Sequence, residues 1–217
     1  KNIKNTTYIN DEVHQAYMPS PSSKWKKKPT NIILLIGDGT GLAQLYSGYT
    51  ANRGSLSIFN IPTIGLVLTA SASNYITDSA AGATAISTGS KTNNRHVGVD
   101  PNGKPVSTLV EILHTEGYRA ALITCDDVTG ATPASFYAHQ PERGMSEQIA
   151  NDFLKGNVDI LIGGGLENFS ARKDKRNLLD SLLVDGYTVA TQFAALDTIT
   201  SSRFVVLDNN VVTPIQN

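Results

Sequence analysis

The segment NIILLIGDGTGLAQLYSGYTANRG, residues 31–54, indicates the class of fold. Its first part, NIILLIG, is a short continuous apolar run that ends at Gly37, which is typical of a strand buried inside a parallel sheet. The residues after the glycine-rich turn favour a helix that ends at Gly54. A strand that passes through a short turn into a helix is the repeating unit of α/β proteins.

The rest of the chain repeats this alternation between short connections that contain glycine. It predicts a three-layer α/β sandwich with a mostly parallel central sheet. Residues 1–30 are polar and show no sustained period, so we expect them to form an N-terminal arm to a single domain over 31–217. Further strands are predicted at 63–70, 118–124, within 158–165, at 187–190 and at 203–208, and helices at 79–89, 106–117, 145–156 and 176–186.

Composition limits the classes of function. The chain has 217 residues, 40% of them hydrophobic and 17% charged, which is enough for one sizeable core. Its net charge of −1 gives no overall attraction to nucleic acid or to an anionic membrane. The single cysteine, Cys125, excludes an intrachain disulfide and a cysteine-based metal cage. Because no apolar run approaches the roughly 20 residues that cross a bilayer, we expect no transmembrane segment.

Asp38 is the first candidate site residue. Ligands of open parallel sheets bind beyond the C-terminal ends of the strands, and Asp38 directly follows the first apolar run. It fits either an Asp-Gly turn before the next helix or a carboxylate held at the strand tip to bind a cation. The spacing G-D-G-T-G disfavours a dinucleotide-binding loop, because it lacks the G-x-G-x-x-G pattern and because an aspartate there repels a pyrophosphate.

The segment YITDSAAGATAISTG, residues 75–89, places an acid and a hydroxyl before a run of small residues. Ser79 either caps the helix that follows or is a reactive serine at its N-terminus, where the helix dipole and free N–H groups stabilise an anion. No G-x-S-x-G elbow surrounds Ser79, so a metal ion is one available means of activating its hydroxyl. The small residues predict close packing of this helix against a sheet.

Thr132 and Arg143 lie in the segment that follows the strand predicted at 118–124. Thr132 fits a helix cap before Pro133, or a hydroxyl ligand of Mg²⁺. Arg143 fits a surface loop, or a guanidinium that binds a phosphate through two parallel hydrogen bonds. His139 is predicted to be structural rather than a metal ligand, since the histidines show no metal-binding spacing.

Five segments, in this order and at these separations, resemble the alkaline phosphatase family over roughly residues 30–170. The Asp-Ser-Ala that leads into a helix of small residues is the most specific part of the resemblance. The five segments are NIILLIGDGTG, TDSAAGATAISTGSKTNN, GVD, ATPASFYAHQPER and DILIGGG.

The resemblance implies a hydrolase of phosphate monoesters that uses two Zn²⁺ ions and one Mg²⁺ ion. Ser79 matches the zinc-bound serine that attacks phosphorus and becomes phosphorylated. Arg143 matches the arginine that binds the phosphate, and Asp78 matches the acid that orients this arginine. Asp38 matches the carboxylate that bridges one zinc and the magnesium, and Thr132 matches a magnesium ligand.

Two departures from the family pattern bear on the metal sites. Gly130 stands two residues before Thr132, where the family usually carries an aspartate or a histidine. The remaining zinc and magnesium ligands of the family come from a second half of the chain, and residues 171–217 contain no Asp-x-x-x-His cluster. We therefore expect these 217 residues to be the N-terminal part of a longer enzyme, with an incomplete sheet and negligible activity alone.

Two alternative functions stay open beside phosphate monoester hydrolysis. One is a catalytically silent domain that binds phosphate, which Gly130 favours; the other is a sulfatase or phosphodiesterase of the same superfamily. Asp78, Ser79 and Arg143 together favour the monoester. The resemblance also implies phosphate monoesters and inorganic phosphate as ligands, a homodimer, and a location in the periplasm or outside the cell.

Overall fold

The computed structural model describes residues 15–16 and 30–209 of the chain. The chain divides into two compact units, Lys1–Leu68 and Thr69–Asn217. The predicted arm, residues 1–30, lies almost entirely outside the described residues, and the division of the chain into an arm and one domain stays a prediction. None of the helices in the described residues is long and apolar enough to cross a bilayer.

The described residues of the first unit form the α-helix α1 (Leu42–Ala51) and a short 3-10 helix, Ser57–Asn60. Gly41 precedes α1, and its N–H donates a 3.0 Å hydrogen bond to the side chain of Gln44 in the first turn. Gly54 lies beyond the last turn in the left-handed region, at φ 82°, which a residue without Cβ adopts at no steric cost. The predicted helix and its glycine end are therefore confirmed.

Two predicted strands are wrong. The described residues have no strand at 31–37 or at 63–70, and apolar side chains of both runs are exposed, such as Leu35 at 89% and Leu68 at 87%. A strand needs a hydrogen-bonded neighbour, and within the described residues neither run pairs into a sheet. Apolar character shows that a segment favours burial, but it does not supply the neighbouring strand.

In the part of the second unit that the structure describes, four strands form one sheet: β1 (Ala121–Asp127), β2 (Ile160–Gly164), β3 (Thr188–Ala190) and β4 (Phe204–Asp208). Their order is β1-β2-β4-β3, and every neighbouring pair is parallel. The pairing of β1 with β2 becomes irregular between Ile123 and Asp127, at the C-terminal end of β1. The predicted α/β fold with a parallel sheet is confirmed, although β1 begins at Ala121 rather than at the predicted residue 118.

Helices connect these strands. Gly89 and Gly117, at φ 71° and φ 80°, follow two of them in the left-handed region. The described helices of the second unit are α2 (Ser79–Thr88), α3 (Leu109–Thr115), α4 (Ala131–Ala134), α5 (Ser146–Phe153), α6 (Glu167–Ser170), α7 (Leu178–Val184) and a 3-10 helix, Phe193–Thr198. The helices predicted at 79–89, 106–117, 145–156 and 176–186 are confirmed with shorter bounds, whereas the 3-10 helices were not predicted.

Buried aromatic rings fix the helices around the sheet. Phe153, at the end of α5, meets Tyr137 edge-on with ring centroids 5.6 Å apart, and it meets Phe169 of α6 at 6.3 Å. The Tyr137 hydroxyl donates a 2.9 Å hydrogen bond to the carbonyl of Val128, just after β1. Burying each such side chain contributes about 1.5–3 kcal/mol, so this cluster holds the segment after β1 in place.

The small residues of α2 pack closely against α4 and Ser135, whereas they were predicted to pack against the sheet. Ala80, on the buried face of α2, is fully buried. Thr84 Oγ1 donates to Ser135 Oγ at 3.2 Å, and Ser87 Oγ donates to the Ser135 carbonyl at 2.5 Å. Such direct contacts between two helical segments need side chains with little bulk, and they hold the middle and the end of α2 against the residue that follows α4.

Candidate active site

Ser79 is the first residue of α2, and Asp78 is its N-cap. The Asp78 carboxylate accepts a 2.9 Å hydrogen bond through Oδ1 from the N–H of Ala81 in the first turn. The interpretation of Ser79 as the cap is therefore wrong, since the capping group is the preceding carboxylate. Ser79 lies half-buried at the positive end of a ten-residue helix.

The second oxygen of Asp78 connects this helix to two arginines. Oδ2 accepts a 3.0 Å hydrogen bond from the N–H of Arg95 and lies 3.4 Å from Arg143 Nη1. The side chains of Asp78 and Arg143 are 23% and 33% exposed, so solvent reaches the pair. The structure thus brings Asp78, Ser79 and Arg143 into one cluster.

The main chain near Arg143 is fixed by the loop that follows α2. The N–H of Arg143 donates a 2.8 Å hydrogen bond to the carbonyl of Arg95. Val97 and Gln140 exchange two main-chain hydrogen bonds of 2.9 Å in an antiparallel bridge. Arg143 therefore sits on a backbone that several hydrogen bonds hold to the loop that follows α2.

Arg95 and Glu142 form an ion pair beside this cluster. Arg95 Nε donates to Glu142 Oε1 at 2.9 Å and to Oε2 at 2.8 Å, and Nη2 donates to Oε1 at 2.5 Å. The hydrogen bonds from Arg95 lower the pKa of Glu142, and the same bonds raise the pKa of Arg95. Glu142 is thus kept ionised, and the positive charge of the Arg95 guanidinium balances its negative charge.

Thr132 is the second residue of the short helix α4, whose N-cap is Gly130. The interpretation of Thr132 as the cap is wrong, and Pro133 stands third rather than first in the helix. A Cβ on Gly130 would lie 2.8 Å from the carbonyl oxygen of Asp127 and 3.1 Å from Asp126 Oδ2. The backbone here leaves no space for a side chain at position 130 unless its neighbours shift.

Asp38 belongs to the first unit, whereas the other four predicted site residues belong to the second. It lies in a turn over residues 37–40, in which the N–H of Thr40 donates a 3.1 Å hydrogen bond to the carbonyl of Gly37. Gly39 follows at φ 62°, so the Asp-Gly turn predicted here is confirmed. The predicted role of Asp38 as a metal ligand stays a prediction.

Comparison with known proteins gives the family. The family model described as "Alkaline phosphatase" matches residues 29–211. The chain belongs to the alkaline phosphatase family. It is 36% identical to alkaline phosphatase 4 of Bacillus subtilis over 200 residues, which cover 85% of this chain and 43% of that protein. It is 34% identical to the repressible alkaline phosphatase of Saccharomyces cerevisiae, covering 84% of this chain and 36% of that protein.

Solved alkaline phosphatases share the fold. The enzyme from the Antarctic bacterium TAB5 superposes with a TM-score of 0.81 at 36% identity, covering 86% of this chain and 56% of that one. The cold-active enzyme from Shewanella sp. gives a TM-score of 0.71 at 33% identity, with 80% and 45% covered. This chain spans less than half the length of the curated alkaline phosphatases that it matches.

The side chains present suit a hard cation but do not complete a metal centre. Ser79, Thr132 and Asp38 offer oxygen donors, which Mg²⁺ prefers. Residues 15–16 and 30–209 contain no group of three or more His, Cys, Asp or Glu side chains that could hold a metal. Two solved variants of the TAB5 alkaline phosphatase, with a histidine replaced by Glu or Asp, are described with Mg bound in the M3 site.

Three residues around Asp78 were not predicted from the sequence. Asn94 Oδ1 accepts a 3.3 Å hydrogen bond from the N–H of Asp78, and Arg95 and Glu142 form the ion pair beside Arg143. Nothing in the local sequence signals that Arg95 adopts a left-handed conformation, at φ 73°, to reach Asp78 through its main chain.

His139, by contrast, is structural as predicted: it lies 2.8 Å from Glu111 Oε1 and its side chain is 6% exposed.

Proposed function

We propose that the protein hydrolyses phosphate monoesters and that Ser79 is the nucleophile. The observation that carries this proposal is the Asp78 carboxylate, which caps the helix that begins at Ser79 and lies 3.4 Å from Arg143. A hydroxyl at a helix N-terminus and a guanidinium held beside it are the groups that bind and attack a phosphate. Membership of the alkaline phosphatase family supports the same reaction.

The reaction follows from these groups. Ser79 Oγ attacks the phosphorus: a new P–O bond forms to the serine, the bond to the alcohol oxygen breaks, and the serine proton passes to the departing alcohol. Water then attacks the phosphoserine: its oxygen bonds to phosphorus, the P–O bond to Ser79 breaks, one water proton returns to Ser79 Oγ, and inorganic phosphate leaves. Arg143 binds two of the non-bridging oxygens, and the N-terminus of α2 stabilises the rest of the charge.

Metal ions belong to this proposal. Asp38, Ser79 and Thr132 are the residues that would hold them, as ligands shared among two Zn²⁺ ions and one Mg²⁺ ion. When bound, these ions supply charge neutralisation and lower the pKa of a coordinated oxygen. Because the chain spans less than half the length of its curated relatives, we propose that further ligands lie outside it and that the 217-residue chain alone has negligible turnover. A homodimer and a periplasmic or extracellular location are also proposed, on the family resemblance.

A comparison of ester substrates tests the proposal. The protein produced from its natural gene, supplied with Zn²⁺ and Mg²⁺, should hydrolyse a phosphate monoester far faster than a diester or a sulfate ester. Ser79→Ala should abolish that turnover, and the 217-residue chain alone should show almost none. Preference for the diester or the sulfate ester would instead assign a phosphodiesterase or a sulfatase.

A second candidate is a catalytically silent domain that binds phosphate. The backbone at Gly130 favours it, because the space where a side chain would stand is closed by the carbonyl of Asp127 and by Asp126. This function predicts affinity for inorganic phosphate without turnover of any of the three esters. Calorimetric titration with phosphate, with and without metal ions, separates it from the enzyme.

A further inference from the structure

Arg95 holds both members of the Asp78–Arg143 pair through its main chain. Its N–H donates to Asp78 Oδ2 at 3.0 Å, and its carbonyl accepts from the N–H of Arg143 at 2.8 Å. Both bonds are made from a left-handed conformation, at φ 73°, which is disfavoured for a residue with a Cβ. Because this conformation costs free energy, its presence at a candidate site indicates that the Arg95 side chain has a role there.

Glu142 creates an electrostatic problem for a phosphate site. It immediately precedes Arg143, and its carboxylate accepts a 3.1 Å hydrogen bond from the N–H of Gly144 on the far side of that arginine in the sequence. A free carboxylate in this position would compete with phosphate for the guanidinium and repel a dianion. The Arg95 guanidinium occupies both of its oxygens.

We propose that Arg95 is a positioning residue for the phosphate site: its guanidinium binds and neutralises Glu142, so that Arg143 stays available to Asp78 and to a phosphate dianion. This inference rests on the proposed function of Arg143 and adds a residue to it. The Arg95 and Glu142 side chains are 60% and 41% exposed, and an ion pair so exposed adds little to stability. We therefore expect loss of the Arg95–Glu142 ion pair to weaken anion binding rather than to lower the free energy of unfolding.

The test removes the guanidinium without disturbing the main chain. Arg95→Gly keeps both main-chain hydrogen bonds and relieves the left-handed backbone. In the protein produced from its natural gene, it should raise KM for a phosphate monoester and Ki for inorganic phosphate about fivefold to tenfold. The turnover number should change by less than about a factor of two, since binding of the anion is what weakens.

Neutralising Glu142 should reverse the defect. In the double variant Arg95→Gly with Glu142→Gln, KM and Ki should return to within about a factor of two of the unmodified protein. Lys175→Gly is the matched control, because Lys175 is an exposed residue in the same backbone conformation, at φ 60°, and lies outside the site. It should leave both constants unchanged.

The outcomes separate this inference from the proposed function. Unchanged KM and Ki in Arg95→Gly, or a double variant no better than the single one, would overturn the role of Arg95 while Arg143 kept its own. An unmodified protein that does not turn over a phosphate monoester would overturn the proposed function itself. An unfolding temperature of Arg95→Gly no lower than that of the unmodified protein would show that the change in KM does not come from unfolding.

Discussion

Arg143 Nη1 lies 3.4 Å from Asp78 Oδ2, and the first turn of α2 fixes the other oxygen of the same carboxylate. One side chain therefore caps the helix of Ser79 and faces the candidate phosphate-binding guanidinium. Capping depends on the acceptor oxygen of Asp78, whereas the interaction with Arg143 depends on its charge. Substitutions can therefore separate the two tasks.

Asp78→Asn should weaken phosphate binding with little effect on stability. Asparagine keeps an acceptor for the N–H of Ala81, and Asn and Asp are comparable helix caps. It loses the charged acceptor that we expect to orient Arg143 toward a phosphate, so KM should rise about fivefold, as expected for a partly exposed ion pair.

Asp78→Ala separates capping from charge. It should show the same rise in KM and also lose about 1 kcal/mol of unfolding free energy, because the cap disappears. Urea unfolding beside steady-state kinetics measures both quantities. Equal stability of the alanine and asparagine variants would contradict the assignment of Asp78 as the cap.

Gly130→Ala should destabilise the protein by about 1–3 kcal/mol, because a Cβ would lie 2.8 Å from the Asp127 carbonyl and the backbone must shift. Gly82→Ala is the control: the nearest side-chain atom would be 3.8 Å away, within ordinary contact, and alanine favours a helix over glycine by roughly 0.5–1 kcal/mol. Chemical unfolding should show a lower unfolding free energy for Gly130→Ala and a higher one for Gly82→Ala. A stabilised Gly130→Ala would show that the loop has room for a side chain.

Glu111 should make stability depend on pH in the acid range. Burial raises the pKa of Glu111, but hydrogen bonds from His139 and from the N–H of Thr108 outweigh burial, and the pKa lies below its ordinary value of 4.5. A lowered pKa in the folded state gives stability that is present above the unfolded value and is lost as the pH falls through the folded value.

Glu111→Gln should therefore cost stability at neutral pH and flatten the decline below pH 4.5. Glu116→Gln, which replaces an exposed carboxylate just after the same helix, is the matched control and should leave the decline unchanged. Unfolding free energies measured across the acid range decide between them. The same acid decline in Glu111→Gln as in the unmodified protein would contradict the role given to this carboxylate.

The strands that were predicted correctly from the sequence all lie in the second unit and pair with one another. The apolar runs at 158–165 and 203–208 contain β2 and β4, which pair with each other over five residues. The runs at 31–37 and 63–70 have the same apolar character but no strand beside them among the described residues. Local composition reports that a segment favours burial, whereas pairing depends on segments distant in the sequence.

The candidate site was predictable in its residue types but not in its geometry. Asp78, Ser79 and Arg143 were identified by their resemblance to the alkaline phosphatase pattern, and the structure brings them together; their chemical roles stay predictions. The contributions of Arg95 and Glu142 arise from a left-handed backbone and a side-chain pair across 47 residues of sequence. No local pattern encodes such a contact.

Trapping of the phosphorylated enzyme tests the central claim most directly. The protein produced from its natural gene is mixed with a phosphate monoester and quenched in acid, and its peptides are analysed by mass spectrometry. We expect one phosphoryl group on the peptide that contains Ser79, and none in the Ser79→Ala variant. Steady hydrolysis without a phosphorylated Ser79 peptide, or full activity of Ser79→Ala, would contradict the account.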